Sequence, residues 1–83
     1  MELLTVQVKR SVVIVRDFPG LGKRIKNARE GDERSLVRIC KDSGVSRTYW
    51  YQIENEATLS PITEDVVRRI EAALSIDLGV TFD

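Results

Sequence analysis

The chain predicts a mostly α fold: a bundle of four to five helices built around a helix-turn-helix, with a small β element from residues 3–16 and from the tail, residues 79–83. Three observations carry this. Four segments place apolar residues at helical spacing. Ser35, Ser46 and Thr63 stand where three of those segments would begin, and hydroxyl side chains are good helix N-caps. Residues 3–16 lack helical periodicity and are rich in β-branched side chains, which are stiff at χ1 and suit a pleated surface.

Within that first stretch, Thr5-Val6-Gln7-Val8 alternates apolar and polar, Lys9-Arg10-Ser11 interrupts, and Val12-Val13-Ile14-Val15 is β-branched throughout. This reads as two strands joined by a short turn. A two-stranded hairpin is marginal alone and wants a third strand, which Gly79-Val80-Thr81-Phe82 could supply from this chain or from another copy. The strands have three candidate roles: closing over their own core, pairing across a dimer axis, or offering an edge to a partner protein. Val12 to Val15 is apolar on both faces, which argues against a freely exposed edge. A small sheet with the C-terminal strand, taking part in dimerisation, is the favoured arrangement.

Phe18-Pro19-Gly20 breaks strand from helix, because proline disfavours helix in the residue before it and suits a helix's first turn. Leu21, Ile25 and Ala28 then form one apolar stripe, ending near Gly31-Asp32. Ser35 caps a second helix with Leu36, Ile39 and Cys40 inward, and the chain turns at Ser43-Gly44. Ser46 caps a third, with Tyr49, Trp50 and Ile53 inward and a polar loop from Glu56 to Pro61. Thr63 caps a fourth, with Glu64 and Asp65 in its first turn, where the helix dipole favours them. Its stripe is Val66, Val67, Ile70, Ala73 and Leu74.

Composition narrows the function. With one cysteine and no histidine in 83 residues, the chain has no internal disulfide, no conventional zinc site and no Ser-His or Cys-His pair. No phosphate-cradling glycine loop is present. The expectation is no catalytic residue, no cofactor and no metal: not an enzyme. The longest apolar run, Val12 to Val15, falls far short of the ~20 residues that span a bilayer, so a cytoplasmic protein is expected, nucleoid-associated in a bacterium. The formal net charge is +0, but it is unevenly spread. Residues 21–53 hold eight basic against four acidic residues, a net +4, whereas residues 54–83 hold two against seven, a net −5. Such asymmetry can orient approach to phosphates.

A helix, a glycine turn and a short capped helix make the geometry that reads the DNA major groove. The third helix would present Arg47, Thr48, Tyr51 and Gln52 outward, with Asn55 one turn on. Arginine can hold guanine O6 and N7 bidentately, glutamine can hold adenine N6 and N7, and threonine can bond a base edge or touch a thymine methyl. Tyr49-Trp50-Tyr51 is read as core packing around Trp50 rather than a base-stacking platform, since a helix splays the three apart. Cys40 is read as a small buried hydrophobe.

On these residues the chain, from 21 to about 78, resembles the Cro/cI (phage repressor, XRE-type) helix-turn-helix family. Leu21-Gly22-Lys23-Arg24-Ile25-Lys26 is similar to that family's first helix, Gly44-Val45-Ser46-Arg47 to its turn, and Ile53-Glu54-Asn55 to the end of its recognition helix. The resemblance implies a helical bundle; the expected division is residues 18–83 as the DNA-binding domain and 1–17 as a β extension, the latter not a core feature of that family. It also implies a transcriptional regulator that binds double-stranded DNA as a homodimer on two-fold half-sites. Arg47, Thr48 and Gln52, with Tyr51 nearby, match its base-reading positions. Ser46, Asn55, Arg29, Lys26, Arg34 and Arg38 are the candidate phosphate contacts, and Arg29 with Glu54 matches a structural ion pair. Departures are the family's glutamine replaced by Leu36, Arg34 and Glu33 before it, and Trp50 in place of a smaller aliphatic. The alternative expectation is an antitoxin-like or adaptor module that uses the same scaffold and the terminal strands to bind a partner protein.

Overall fold

The computed structural model describes residues 5–11 and 14–82. Leu3, Leu4, Val12, Val13 and Asp83, which belong to the expected β segments, lie outside the described residues. The element order is β1 (Thr5–Ser11), β2 (Ile14–Pro19), α1 (Leu21–Glu30), α2 (Leu36–Ser43), α3 (Arg47–Glu54), β3 (Ile62–Thr63) and α4 (Glu64–Leu74).

The expectation of a mostly α bundle is corrected. Four helices share the described residues with a three-stranded mixed sheet, at 49% helix and 20% strand, an α/β arrangement. The reason lies in β1, which is the middle strand, with β2 antiparallel on one side and β3 parallel on the other. Its Val6 and Val8 are fully buried against α1 and α4, so the sheet is a wall of the core rather than an appendage. Lys9-Arg10-Ser11, expected as the turn, continues β1. The register slips between Lys9 and Ser11, so Arg10 forms a bulge that re-aims its side chain out of the ladder.

The third strand is Ile62–Thr63, paired with Val8 and Lys9, and not the tail. The tail alternates as a strand would, with Leu78, Val80 and Phe82 buried. Its backbone groups, however, are satisfied by helix side chains. Arg24 of α1 donates to the Leu78 carbonyl (2.9 Å), Arg68 of α4 donates to the Val80 carbonyl (2.8 Å), and the Leu78 N–H donates to Glu71 (2.7 Å). Phe82 ends the strap edge-on to Phe18, with the Arg10 guanidinium 4.7 Å from its ring centre. Arg10 also forks onto Glu64, which Arg68 holds from the other side. These contacts tie the sheet, α4 and the tail together.

The helices follow the apolar stripes. Leu21, Ile25, Ile39, Ile53, Val67 and Ile70 are all fully buried, while Leu36, Ala28 and Tyr49 pack partly exposed at the margin. Among the described residues, no helix is long and apolar enough to cross a membrane.

Candidate nucleic-acid interface

The joint between α2 and α3 is tight. Ser35 caps α2 by accepting from the Arg38 N–H, and Ser46 caps α3 by accepting from the Tyr49 N–H, each at 3.2 Å. Between them Gly44 takes a left-handed conformation (φ 74°), which an L side chain adopts only with strain. The Cys40 carbonyl then accepts from the Gly44 and Val45 N–H groups and from the Ser43 hydroxyl. Val45 and Trp50 seal the angle between the two helices, both buried.

That joint turns one stripe of α3 outward. Arg47, Thr48, Tyr51, Gln52 and, at the C-cap, Asn55 are all exposed and fall along one helical face. No acidic side chain interrupts the stripe, because Glu54 points inward. Its carboxylate is 2% exposed and accepts three N–H donors: Arg29 Nε (2.6 Å) and Nη2 (3.1 Å), and the Trp50 indole Nε1 (2.6 Å). The Glu54 hydrogen bond, chiefly, raises the Arg29 guanidinium further above its ordinary value. Removing one partner of such a buried ion pair costs roughly 3–5 kcal/mol, since the other charge is left without compensation.

The end of α3 also lies directly on α1. A Cβ at Gly22 would sit 2.4 Å from the Glu54 carbonyl oxygen and 2.6 Å from that of Ile53. Just beyond, Glu56 takes a left-handed backbone (φ 54°), which brings its carboxylate to accept from the Gly22 N–H at 3.1 Å. Gly20, the N-cap of α1, has no capping side chain, so Glu56 does that work from another element.

The candidate phosphate contacts divide. Lys26 is exposed, lies one turn before Arg29 on α1, and has no ion-pair partner among the described residues; Lys23 and Arg47 are equally free. Ser46 and Asn55 bracket α3. Arg29 is held on Glu54 with its Nη1 edge unused among the described residues. Arg34 is engaged elsewhere. It forks onto Asp32, reaches Asp42, and donates to the Ala73 carbonyl at the end of α4. The Arg34 guanidinium and N–H hold Asp32 down to about 2. Arg38 pairs with Asp42 on the exposed surface. Arg34 before α2 and Arg38 within it are thus neutralised by Asp32 and Asp42.

Burial pushes the Cys40 thiol and the Tyr49 hydroxyl above their ordinary values, Cys40 within the core and Tyr49 at its margin. Among the described residues, no group of three or more acidic or cysteine side chains could hold a metal ion. Two features escaped the sequence reading. The Trp50–Glu54 bond was signalled by i, i+4 spacing on one helix; the Glu56 cap on α1 spans 34 positions and had no local signal. No family model, curated protein or solved structure matches the chain.

Proposed function

We propose that this chain is a sequence-specific, double-stranded-DNA-binding transcriptional regulator of the Cro/cI helix-turn-helix type, acting as a homodimer that lays α3 in the major groove. The observation that carries the reading is the acid-free outer face of α3, held rigid from behind by the buried Glu54 cluster. An α-helix with its side chains is about 10–12 Å across and enters a major groove about 12 Å wide, and the eight residues of α3 run about 12 Å along it. Arg47 and Gln52 read base edges, Thr48 and Tyr51 contact bases beside them, and Lys26, Arg29, Ser46 and Asn55 grip the flanking phosphates. The net +4 of residues 21–53 supports the same side facing the duplex. A cytoplasmic or nucleoid location goes with this role.

A second reading, an antitoxin-like or adaptor module gripping a partner protein, draws on β2. That strand is a sheet edge, and it exposes Ile14 and Val15. Selection from a random duplex pool separates the two. A two-fold motif with half-sites about one helical turn apart is the expected outcome. A pool that enriches no motif, from protein that binds no duplex at low salt, would overturn the DNA reading and favour the second.

A further inference from the structure

Trp50 is the chain's single tryptophan and is wholly buried, so its bulk alone accounts for a core position. Its indole N–H calls for a second explanation. A buried N–H needs an acceptor, and this one finds Glu54 Oε2 at 2.6 Å, the same oxygen that takes Arg29 Nε at 2.6 Å. With Nη2 on Oε1, three donors converge on one carboxylate and leave it a single orientation. Two of them use up the inner edge of the planar Arg29 guanidinium. The outer edge, Nη1, has no hydrogen-bond partner among the described residues, on a side chain that keeps 19% exposure. Along the chain, exposed Lys26 stands one turn before Arg29 on α1, and exposed Asn55 follows Glu54 directly.

We infer that Trp50 is a positioning residue for nucleic-acid binding: its indole N–H fixes the Glu54 carboxylate, which holds the Arg29 guanidinium with its free edge aimed at a phosphate beside the end of α3. This rests on the DNA-binding reading above. The relay runs from core to surface through charge-assisted hydrogen bonds, which are shorter and stronger than neutral ones. Phenylalanine at position 50 would fill most of the same volume and carry no such donor.

The test removes the N–H while keeping the ring. Trp50→Phe is one variant. The second replaces the single tryptophan biosynthetically by benzothienylalanine, which keeps the bicyclic shape, so that loss of fold and loss of donor are separated. Two readouts are taken. In the free protein, the Arg29 Nε–H is followed by 15N NMR; it should exchange slowly in wild type and faster in both variants. On the duplex recovered by selection, the slope of log affinity against log salt should fall by about 0.9, one phosphate contact, in both variants and in Arg29→Gln. Combining Trp50→Phe with Arg29→Gln should give no further fall in slope. An unchanged slope with weakened affinity, or losses that add in the double variant, would make Trp50 a core residue only and overturn the inference. Unchanged Arg29 Nε–H exchange would overturn it without reference to DNA. Wild type that binds no duplex, yet shows the exchange change, would overturn the phosphate role and the DNA reading while retaining the relay.

Discussion

Glu54 and Gly22 show how much of the candidate interface depends on residues that cannot touch a ligand. Glu54 is spent inward on Arg29 and Trp50, which leaves the outer stripe of α3 free of negative charge. Gly22 is chosen for absence: any Cβ there meets two carbonyl oxygens of α3's last turn, backbone atoms that cannot swing aside. Gly22→Ala should therefore force α1 and α3 apart at an overpacking cost of ~1–3 kcal/mol. Thermal unfolding followed by Trp50 fluorescence should show the midpoint falling by about 4–8 °C for each kcal/mol lost. An unchanged midpoint would contradict the close approach. The outward positions of Arg47, Thr48, Tyr51 and Gln52 were legible in the sequence because helical spacing alone separates them from Trp50 and Ile53. The ties on Arg34 were not, since its Ala73 partner is 39 positions away and depends on how α2 meets α4.

Each element was legible to the degree that its signal is local. Ser35, Ser46 and Thr63 cap α2, α3 and α4 through their own hydroxyls, and Gly44 takes the left-handed turn between α2 and α3. Ser46→Ala should remove one N–H partner from the start of α3 and cost about 1 kcal/mol, whereas Ser46→Asp should retain most of the stability. Urea unfolding of the pair checks this; equal midpoints for Ala and Asp would mean that the cap contributes nothing. The sheet was harder to read. Ile62–Thr63 is too short to show alternation, and it pairs with a strand 54 positions away. The tail shows the right alternation for a strand, yet Arg24, Arg68 and Glu71 take its backbone groups. Period-2 patterning reports which side chains are buried, not which partner satisfies the main chain.

Besides the Arg29–Glu54 pair between α1 and α3, two corners of the molecule carry ion pairs whose carboxylates are held well below their ordinary values. The Arg10 and Arg68 guanidinium groups hold Glu64 down to about 2 from 4.5, and Arg34 holds Asp32 down to about 2 from 3.8. A depressed carboxylate contributes stability that is fully present above its unfolded value and is lost as pH falls through the folded one. Unfolding midpoints should thus hold level down to about pH 4.5 and decline toward pH 2. Because these pairs border solvent, the decline should shrink in high salt. A midpoint that rises on acidification would contradict the pairing. The same molecule gathers its positive charge in residues 21–53 and its negative charge in residues 54–83, an asymmetry along the chain on which the proposed DNA-binding reading draws. The claim that α3 reads base edges is tested most directly by measuring the affinity of wild type and Arg47→Ala for the selected duplex and for each of its single-base-pair variants. Arg47→Ala should weaken binding to the selected duplex by ~1–3 kcal/mol and lose discrimination at one base pair while keeping it elsewhere. An Arg47→Ala protein with wild-type affinity and an unaltered pattern of base preference would contradict the account.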